Sequence, residues 1–459
     1  MLSVAAGYFV PDPGPDPGSQ PKRGEAPVSA VEPPGAQAFA ARAVHPGSIA
    51  AAAEASSQPE TAARASPAMF FLDHRAIDPM ARDRYGNPPR RDLVPGEMEQ
   101  LATSYDLIDD DLRGQPDGVP LSLSQMEDMR RINPRLRVVR DVWMLSSNDV
   151  GLESIAPGDG AHDSWFLRGA DGEFVRAYDD RPSWNGHANY VLDPANASVR
   201  LALGAQARMA RRVGYDGVLL EDVLPYVPSP DSPYERRILD AHPIDPGTGS
   251  PYTDAAWRAA VGGLIVRVRE IAGADALVVI AGTDGSDYLR AGGADLSALA
   301  DVTLLRPFAG DPERWRDDID AATQLAIAGR SVIALAPGAP ASSPEQQERI
   351  DRYAFASYLL TLEAAPAYYG QQAPGDAPPE GYALQPSYRM APLGNPIGQR
   401  HEVDGVEIRV FDRGMALVNG GSVVHDVPLP GRYYSPDGHK VEGHIVLAPG
   451  DAAVLVKDE

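Results

Sequence analysis

From Met69 onward, short apolar runs alternate with stretches of helical period. Eight runs, at 69–75, 105–111, 136–143, 188–193, 217–222, 276–283, 302–308 and 331–337, are dominated by Val, Ile, Leu and aromatic residues and predict strands. Between them, Val199, Leu203, Ala207, Ala210 and Val213 recur at spacings of three and four, as do Trp315, Ile319, Ala322 and Ala326. Each set makes one apolar stripe of an amphipathic helix. Asp311-Pro312 and Ser343-Pro344 look like helix starts, with a capping side chain followed by proline in the first turn. Eight strands, each followed by a crossover, predict a (β/α)8 barrel over residues 68–370. Helix-to-strand connections are short, whereas 144–187 and 223–250 after strands are long. A barrel builds its site from the loops that follow its strands.

The pattern changes on either side. Residues 1–67 are rich in Ala, Pro, Gly and Ser without a sustained period and are expected to be a disordered linker. Residues 371–390 are a Pro/Gly-rich joint. Beyond them, 391–459 carries short β-like runs separated by turns such as Asp437-Gly438 and Pro449-Gly450, which predicts a small antiparallel β-sandwich.

Composition narrows the function. Of 459 residues, 41 are Lys or Arg and 64 are Asp or Glu, giving a net charge of −23. Such a surface repels phosphate backbones, which argues against nucleic acid as a partner, and neutral or cationic polymers remain open. There is no cysteine, so disulfides and thiol catalysis are excluded. No run of about 18 apolar residues suits a membrane span. The apolar stretch 1–10 runs directly into Pro-Asp-Pro-Gly, so no convincing export signal opens the chain. The nine histidines lack zinc spacing, and neither a nucleophile elbow nor a phosphate loop occurs, so no cofactor is expected.

Acids end the first five predicted strands. They are Asp73 in Leu72-Asp73-His74-Arg75, the run Asp109 to Asp111, Asp141 in Arg140-Asp141-Val142-Trp143, Asp193 before Pro194, and the adjacent pair Glu221 and Asp222. Glycosidic hydrolysis needs two carboxyl groups, one to protonate the leaving oxygen and one to act as base or nucleophile. Plainer readings stand beside this one. Asp193 can cap a helix, Asp109 to Asp111 reads as a solvated loop, and Asp73 can pair with Arg75. Alternation along a strand lets only one of Glu221 and Asp222 face the barrel axis. Trp143, Trp165, Trp184, Tyr178 and Tyr190 cluster around the long third loop, either as stacking surfaces for sugar rings or as its own small core.

The segments Asn189-Tyr-Val-Leu-Asp-Pro194 and Gly214-Tyr-Asp-Gly-Val-Leu-Leu-Glu-Asp-Val223 resemble the glycoside-hydrolase-like barrels of hypothetical glycosyl hydrolase family fifteen, which are related to endo-α-1,4-polygalactosaminidase-like barrels. Arg409-Val-Phe-Asp-Arg-Gly-Met-Ala-Leu-Val-Asn419 is similar to their terminal β domain. The resemblance implies a carbohydrate-active enzyme, secreted or at the cell surface. It carries a strand-five acid onto Glu221 or Asp222 and a strand-four acid onto Asp193. This chain departs from it in having Glu at 221, where relatives usually have Asp, and in ending strand seven with Leu305-Arg306-Pro307-Phe308, where many glycosidases place a catalytic Glu.

The expectation is therefore a glycoside hydrolase acting on a polysaccharide or oligosaccharide. Glu221 or Asp222 is the general acid, and Asp193, Asp141 or Asp73 is its partner. His74, Arg75, Trp143, Trp184, Tyr190 and Arg306 shape the cleft. The competing expectation is a non-catalytic carbohydrate-binding or scaffold protein on a degenerate barrel.

Overall fold

The computed structural model describes residues 68–72, 95–110, 120–147, 157–158, 160–177, 189–234, 238–282, 285–337, 343–363, 365–371 and 391–458. The expected linker at 1–67 and nearly all of the joint at 371–390 lie outside these residues.

Eight parallel strands among the described residues close into a barrel in sequence order. They are β1 (Ala68–Leu72), β2 (Leu107–Asp110), β3 (Arg137–Trp143), β4 (Gly217–Glu221), β5 (Leu277–Ala281), β6 (Val302–Leu305), β7 (Ser331–Ala336) and β8 (Ala367–Gln371). The ring is completed where β8 pairs with β1. Helices follow in order: α1 (Pro95–Ser104), α2 (Leu123–Ile132), α3 (Ala197–Arg212), α4 (Asp254–Ala272), the short α5 (Gly285–Arg290) and α6 (Ala294–Ser297), α7 (Trp315–Ile327) and α8 (Pro344–Leu360). The expected α/β barrel is thus present. Its strands read as nearly continuous apolar runs because both of their faces are covered.

The membership of the ring differs from expectation at one strand. The run predicted as strand four contributes only Asn189–Val191, which pairs antiparallel with Ser146–Ser147 and with Arg176–Ala177 in a small separate sheet. An antiparallel segment has no place in a parallel barrel. The stretch before it, 144–187, also lacks the helical pattern that a parallel crossover needs. The eighth strand is instead Ala367–Gln371, outside the eight predicted runs. Glu221 therefore ends the fourth barrel strand, and Arg306 follows the sixth. The seventh strand ends at Ala336 and is followed by Pro337.

Local sequence accounts for the helix entries. Ser122 and Gln125 form a capping box on α2. Asn196 accepts from two backbone N–H groups of α3, and Thr253 and Ser343 cap α4 and α8. Asp311-Pro312 opens a turn rather than the helix, which begins at Trp315. The stripes Val199, Leu203, Ala207, Ala210 and Trp315, Ile319, Ala322, Ala326 are buried as expected, whereas Val213 lies exposed at the end of α3.

A recurring aspartate ties strands together at the N-terminal face. Asp106, Asp216 and Asp301 each stand just before an even-numbered strand and accept the backbone N–H of the preceding odd-numbered one. These bonds come from Met69 at 3.1 Å, Val138 at 2.8 Å and Val278 at 2.8 Å. Asp216 also holds Arg130 at 2.7 Å and Arg137 at 2.9 Å. This face is remote from the mouth and serves stability.

The C-terminal region forms one six-stranded antiparallel sheet, ordered β9 (Pro396–Val403), β10 (Val406–Phe411), β11 (Gly414–Asn419), β14 (Asp451–Lys457), β12 (His425–Tyr434) and β13 (Lys440–Leu447). β12 meets β14 only at Tyr433 and Tyr434, so the β12–β13 hairpin curls over the rest. The two parts enclose Ile408, Leu417, Val427, Leu447 and Leu455, giving a sandwich-like core from a continuous sheet. The opposite face places Phe411, Ala416, Val418 and Val454 in the main core with α8. Arg409, 1 % exposed, spans this junction to Glu363 at 3.1 Å.

Candidate active site

The barrel interior has an apolar floor of Leu107, Val139, Leu219, Val279, Val302, Leu304, Ile333 and Leu335, which pack as one buried cluster with Tyr368 beside it. Side chains alternate along a strand, so residues two further on face the same way. Asp109 follows Leu107, Asp141 and Trp143 follow Val139, Glu221 follows Leu219, and Arg306 follows Leu304. Three carboxyl groups, one indole and one guanidinium thus share the inward parity at the C-terminal ends of β2, β3, β4 and β6. Register supports this, since Trp143 is the ladder partner of Glu221.

Contacts agree with that placement. Arg306 Nη2 donates to Glu221 Oε2 at 2.6 Å, with Glu221 only 3 % exposed. On β3, Trp143 Nε1 donates to Asp141 Oδ2 at 2.9 Å. Asp109 is fully buried, which corrects the reading of a solvated loop at this position. Its neighbour Asp110 has the opposite parity, and its carboxylate accepts Leu121 N–H at 2.9 Å and the Tyr215 hydroxyl. Asp110 is a structural anchor for the barrel's outer side.

The chain turns sharply after the strands that bear the Glu221–Arg306 pair. Asp222 has φ 60° and Ala309 has φ 54°, and these are two of the three left-handed non-glycine residues among those described. Such residues cost energy and concentrate at functional sites. Gly282, after β5, allows the departing β4 chain to approach closely, because a Cβ there would lie 2.7 Å from Val223 N. Val223 N–H in turn donates to Ala281 O at 2.8 Å.

The other described residues singled out from sequence have contacts of their own. Asp193 follows the small sheet, is 4 % exposed, and accepts Ala195 N–H at 2.9 Å and the Tyr252 hydroxyl at 3.1 Å on the same oxygen. Burial raises its pKa, opposed by these bonds and by Arg200. Burial and Asp193 together push the Tyr252 hydroxyl well above the ordinary tyrosine value. Tyr190 packs edge-on against Phe166 and Phe174 at ring separations of 6.1 and 6.2 Å, within the small core of the third loop. Asp73, His74, Arg75, Tyr178 and Trp184 lie outside the described residues. Among those described, no group of three or more acids or histidines is placed to hold a metal ion. No helix among them is long and apolar enough to cross a membrane.

No family model and no curated protein matches the chain. Solved structures do. A GH27 β-L-arabinopyranosidase variant from Geobacillus stearothermophilus, in complex with arabinose, aligns over 86 % of this chain and 97 % of its own, at 11 % identity and a TM-score of 0.50. The α-glucosyl transfer enzyme XgtA aligns over 86 % and 99 %, at 12 % identity and a TM-score of 0.49. The glycoside hydrolase domain of PelA from Pseudomonas aeruginosa aligns over 67 % and 95 %, at 14 % identity and a TM-score of 0.38. The likeness to the first of these is one of fold alone, a TIM barrel with a C-terminal antiparallel sheet.

Proposed function

We propose that the protein is a glycoside hydrolase whose chemistry is carried by Glu221 together with Asp141, with Asp109 beside them at the barrel mouth. The observation that supports this is the set of inward carboxyl groups on three consecutive strands above an apolar floor, with Arg306 bonded to one of them. The Arg306 guanidinium bonded to Glu221 suits that carboxyl group to act as nucleophile or base. Asp141, held by the Trp143 indole and nearer the rim than Asp109, is the partner that protonates the leaving oxygen. Trp143 orients Asp141 through its indole N–H and offers a ring edge to the sugar. The protein acts on a polysaccharide or oligosaccharide, in a secreted or cell-surface setting.

A second reading has its own observation. The inward positions ending β5, β7 and β8 are Ala281, Leu335 and Gly370, so one wall of the mouth lacks acids among the described residues. That arrangement also suits a barrel that grips sugar without cleaving it. The test is a reducing-end release screen over bacterial and plant polysaccharides, including galactosamine-rich ones, comparing wild type with Glu221→Gln and Asp141→Asn. Release that is lost in both variants supports the hydrolase. Oligosaccharide binding without release from any polymer overturns it in favour of the binding barrel.

A further inference from the structure

The segment after β6 carries Arg306 and then bends through Pro307, Phe308, Ala309 and Gly310. Ala309 adopts φ 54°, a conformation that an alanine rarely holds without support. It is 8 % exposed, so solvent does not satisfy its backbone. The support comes from α7, where Asp318 Oδ2 accepts the Ala309 N–H at 3.0 Å. Asp318 is itself 3 % exposed, an unusual setting for an acid in the first turn of a helix. A second tether lies one residue earlier, where Phe308 N–H donates to Leu335 O on β7 at 2.9 Å. Gly310 closes the bend against Pro337, since a Cβ there would come within 2.5 Å of the proline ring. The neighbouring helix leaves room for Asp318 in the same way: a Cβ at Gly285 would lie 3.1 Å from its Oδ1.

We infer that Asp318 is a positioning residue, which holds the left-handed turn at Ala309 and so fixes Arg306 against Glu221. It lies on the helix behind the mouth and acts through the backbone. Arg306 sits only three residues before the anchored N–H, so a change in that turn swings the guanidinium directly. The inference rests on the reading of Glu221 as a catalytic carboxylate for its consequence in catalysis. The geometric claim, that Asp318 places Arg306, is tested separately.

The test uses the full chain and phenylglyoxal, an arginine-specific reagent, with modification mapped by peptide mass spectrometry. In wild type, Arg306 is shielded by its bond to Glu221 and reacts slowly. Asp318→Ala is expected to raise Arg306 reactivity several-fold while leaving Arg211, on the opposite side of the fold, unchanged. Asp318→Asn keeps an oxygen acceptor for the Ala309 N–H and is expected to stay near wild type. If Asp318→Ala fails to fold, adding Ala309→Gly removes the strain of the left-handed residue and restores folding, with Arg306 still reactive because its anchor is missing. A folded Asp318→Ala, Ala309→Gly protein in which Arg306 stays protected overturns the inference. So does a rise in reactivity shared equally by all arginines. On a substrate found by the release screen, kcat is expected to fall at least about tenfold in Asp318→Ala and to be retained in Asp318→Asn, since small misplacements of a positioned group carry effects of this size. If wild type releases nothing, the hydrolase reading fails while the Arg306 reactivities still decide the role of Asp318.

Discussion

Arg306 and Glu221 meet at 2.6 Å across β5, from the ends of the sixth and fourth barrel strands. The pair joins two non-adjacent strands through side chains in a part of the barrel where Glu221 is 3 % and Arg306 17 % exposed. Removing one member of a buried pair strands the other's charge, at a cost of about 3–5 kcal/mol, whereas removing both can be nearly neutral. Arg306→Ala is therefore expected to lower stability by about that amount, and the double variant Arg306→Met, Glu221→Gln to recover most of it. Urea denaturation of the single and double variants measures this. Equal, small losses in both singles with no recovery in the double count against a buried pair.

Asp222 follows Glu221 with φ 60°. It stands just past the end of β4, where this left-handed backbone makes the turn, so its contribution is expected to lie in the backbone. Glycine adopts this conformation without the Cβ penalty, which is about 1–2 kcal/mol for other residues. Asp222→Gly should accordingly unfold at a higher denaturant concentration than Asp222→Ala, and both should retain hydrolysis. A loss of hydrolysis in both, with folding intact, assigns the Asp222 carboxylate to the chemistry instead.

The barrel was legible because its strands are nearly continuous apolar runs, and because Val199 to Ala210 and Trp315 to Ala326 keep a strict helical period. What misled is equally specific. Asn189-Tyr190-Val191-Leu192 has the composition of a buried strand, and only its pairing partners, Ser146–Ser147 and Arg176–Ala177, place it in a side sheet. Ala367-Tyr368-Tyr369-Gly370 is short and borders a Pro/Gly-rich stretch, which hid the strand that closes the ring. Asp109 and Asp110 read as solvated because adjacent aspartates usually are. The signal for their burial was that Leu107-Ile108 runs into them without a turn residue. Glu221 and Arg306 were both visible as strand-end residues. Their contact was not, because it depends on which two strands flank β5.

Asp216 supplies a stability prediction at the opposite face. It accepts Val138 N–H, Arg130 and Arg137 together. Asp216→Ala leaves the part-buried Val138 N–H without its acceptor and Arg130 with only the Gly214 carbonyl, a loss of about 1–3 kcal/mol. Thermal or urea unfolding should show that loss, while the rate per folded molecule stays at wild type. A large drop in turnover at full folding contradicts a purely structural N-terminal face.

The response of Asp193 to pH distinguishes a structural buried acid from the catalytic partner expected from sequence, the cap of α3 being Asn196. Burial raises its pKa in the folded protein. The native state therefore holds the proton to higher pH than the unfolded chain does. The resulting stabilisation is fully present below the ordinary aspartate value and is lost as pH rises through the elevated native value. Asparagine keeps a neutral oxygen for both Ala195 N–H and the Tyr252 hydroxyl, which donate to the same atom. Asp193→Asn should thus flatten the pH dependence of unfolding across the acid range. It should cost little stability at neutral pH, the lost attraction to Arg200 being offset by the removal of a buried charge. Because Asp193 bonds to the loop around Tyr252, hydrolysis should also survive the substitution. Denaturant midpoints between pH 4 and pH 8, compared with wild type, check the first point, and reducing-end release checks the second. An unchanged pH profile removes the buried-acid account of Asp193, and abolished release returns it to the catalytic pair.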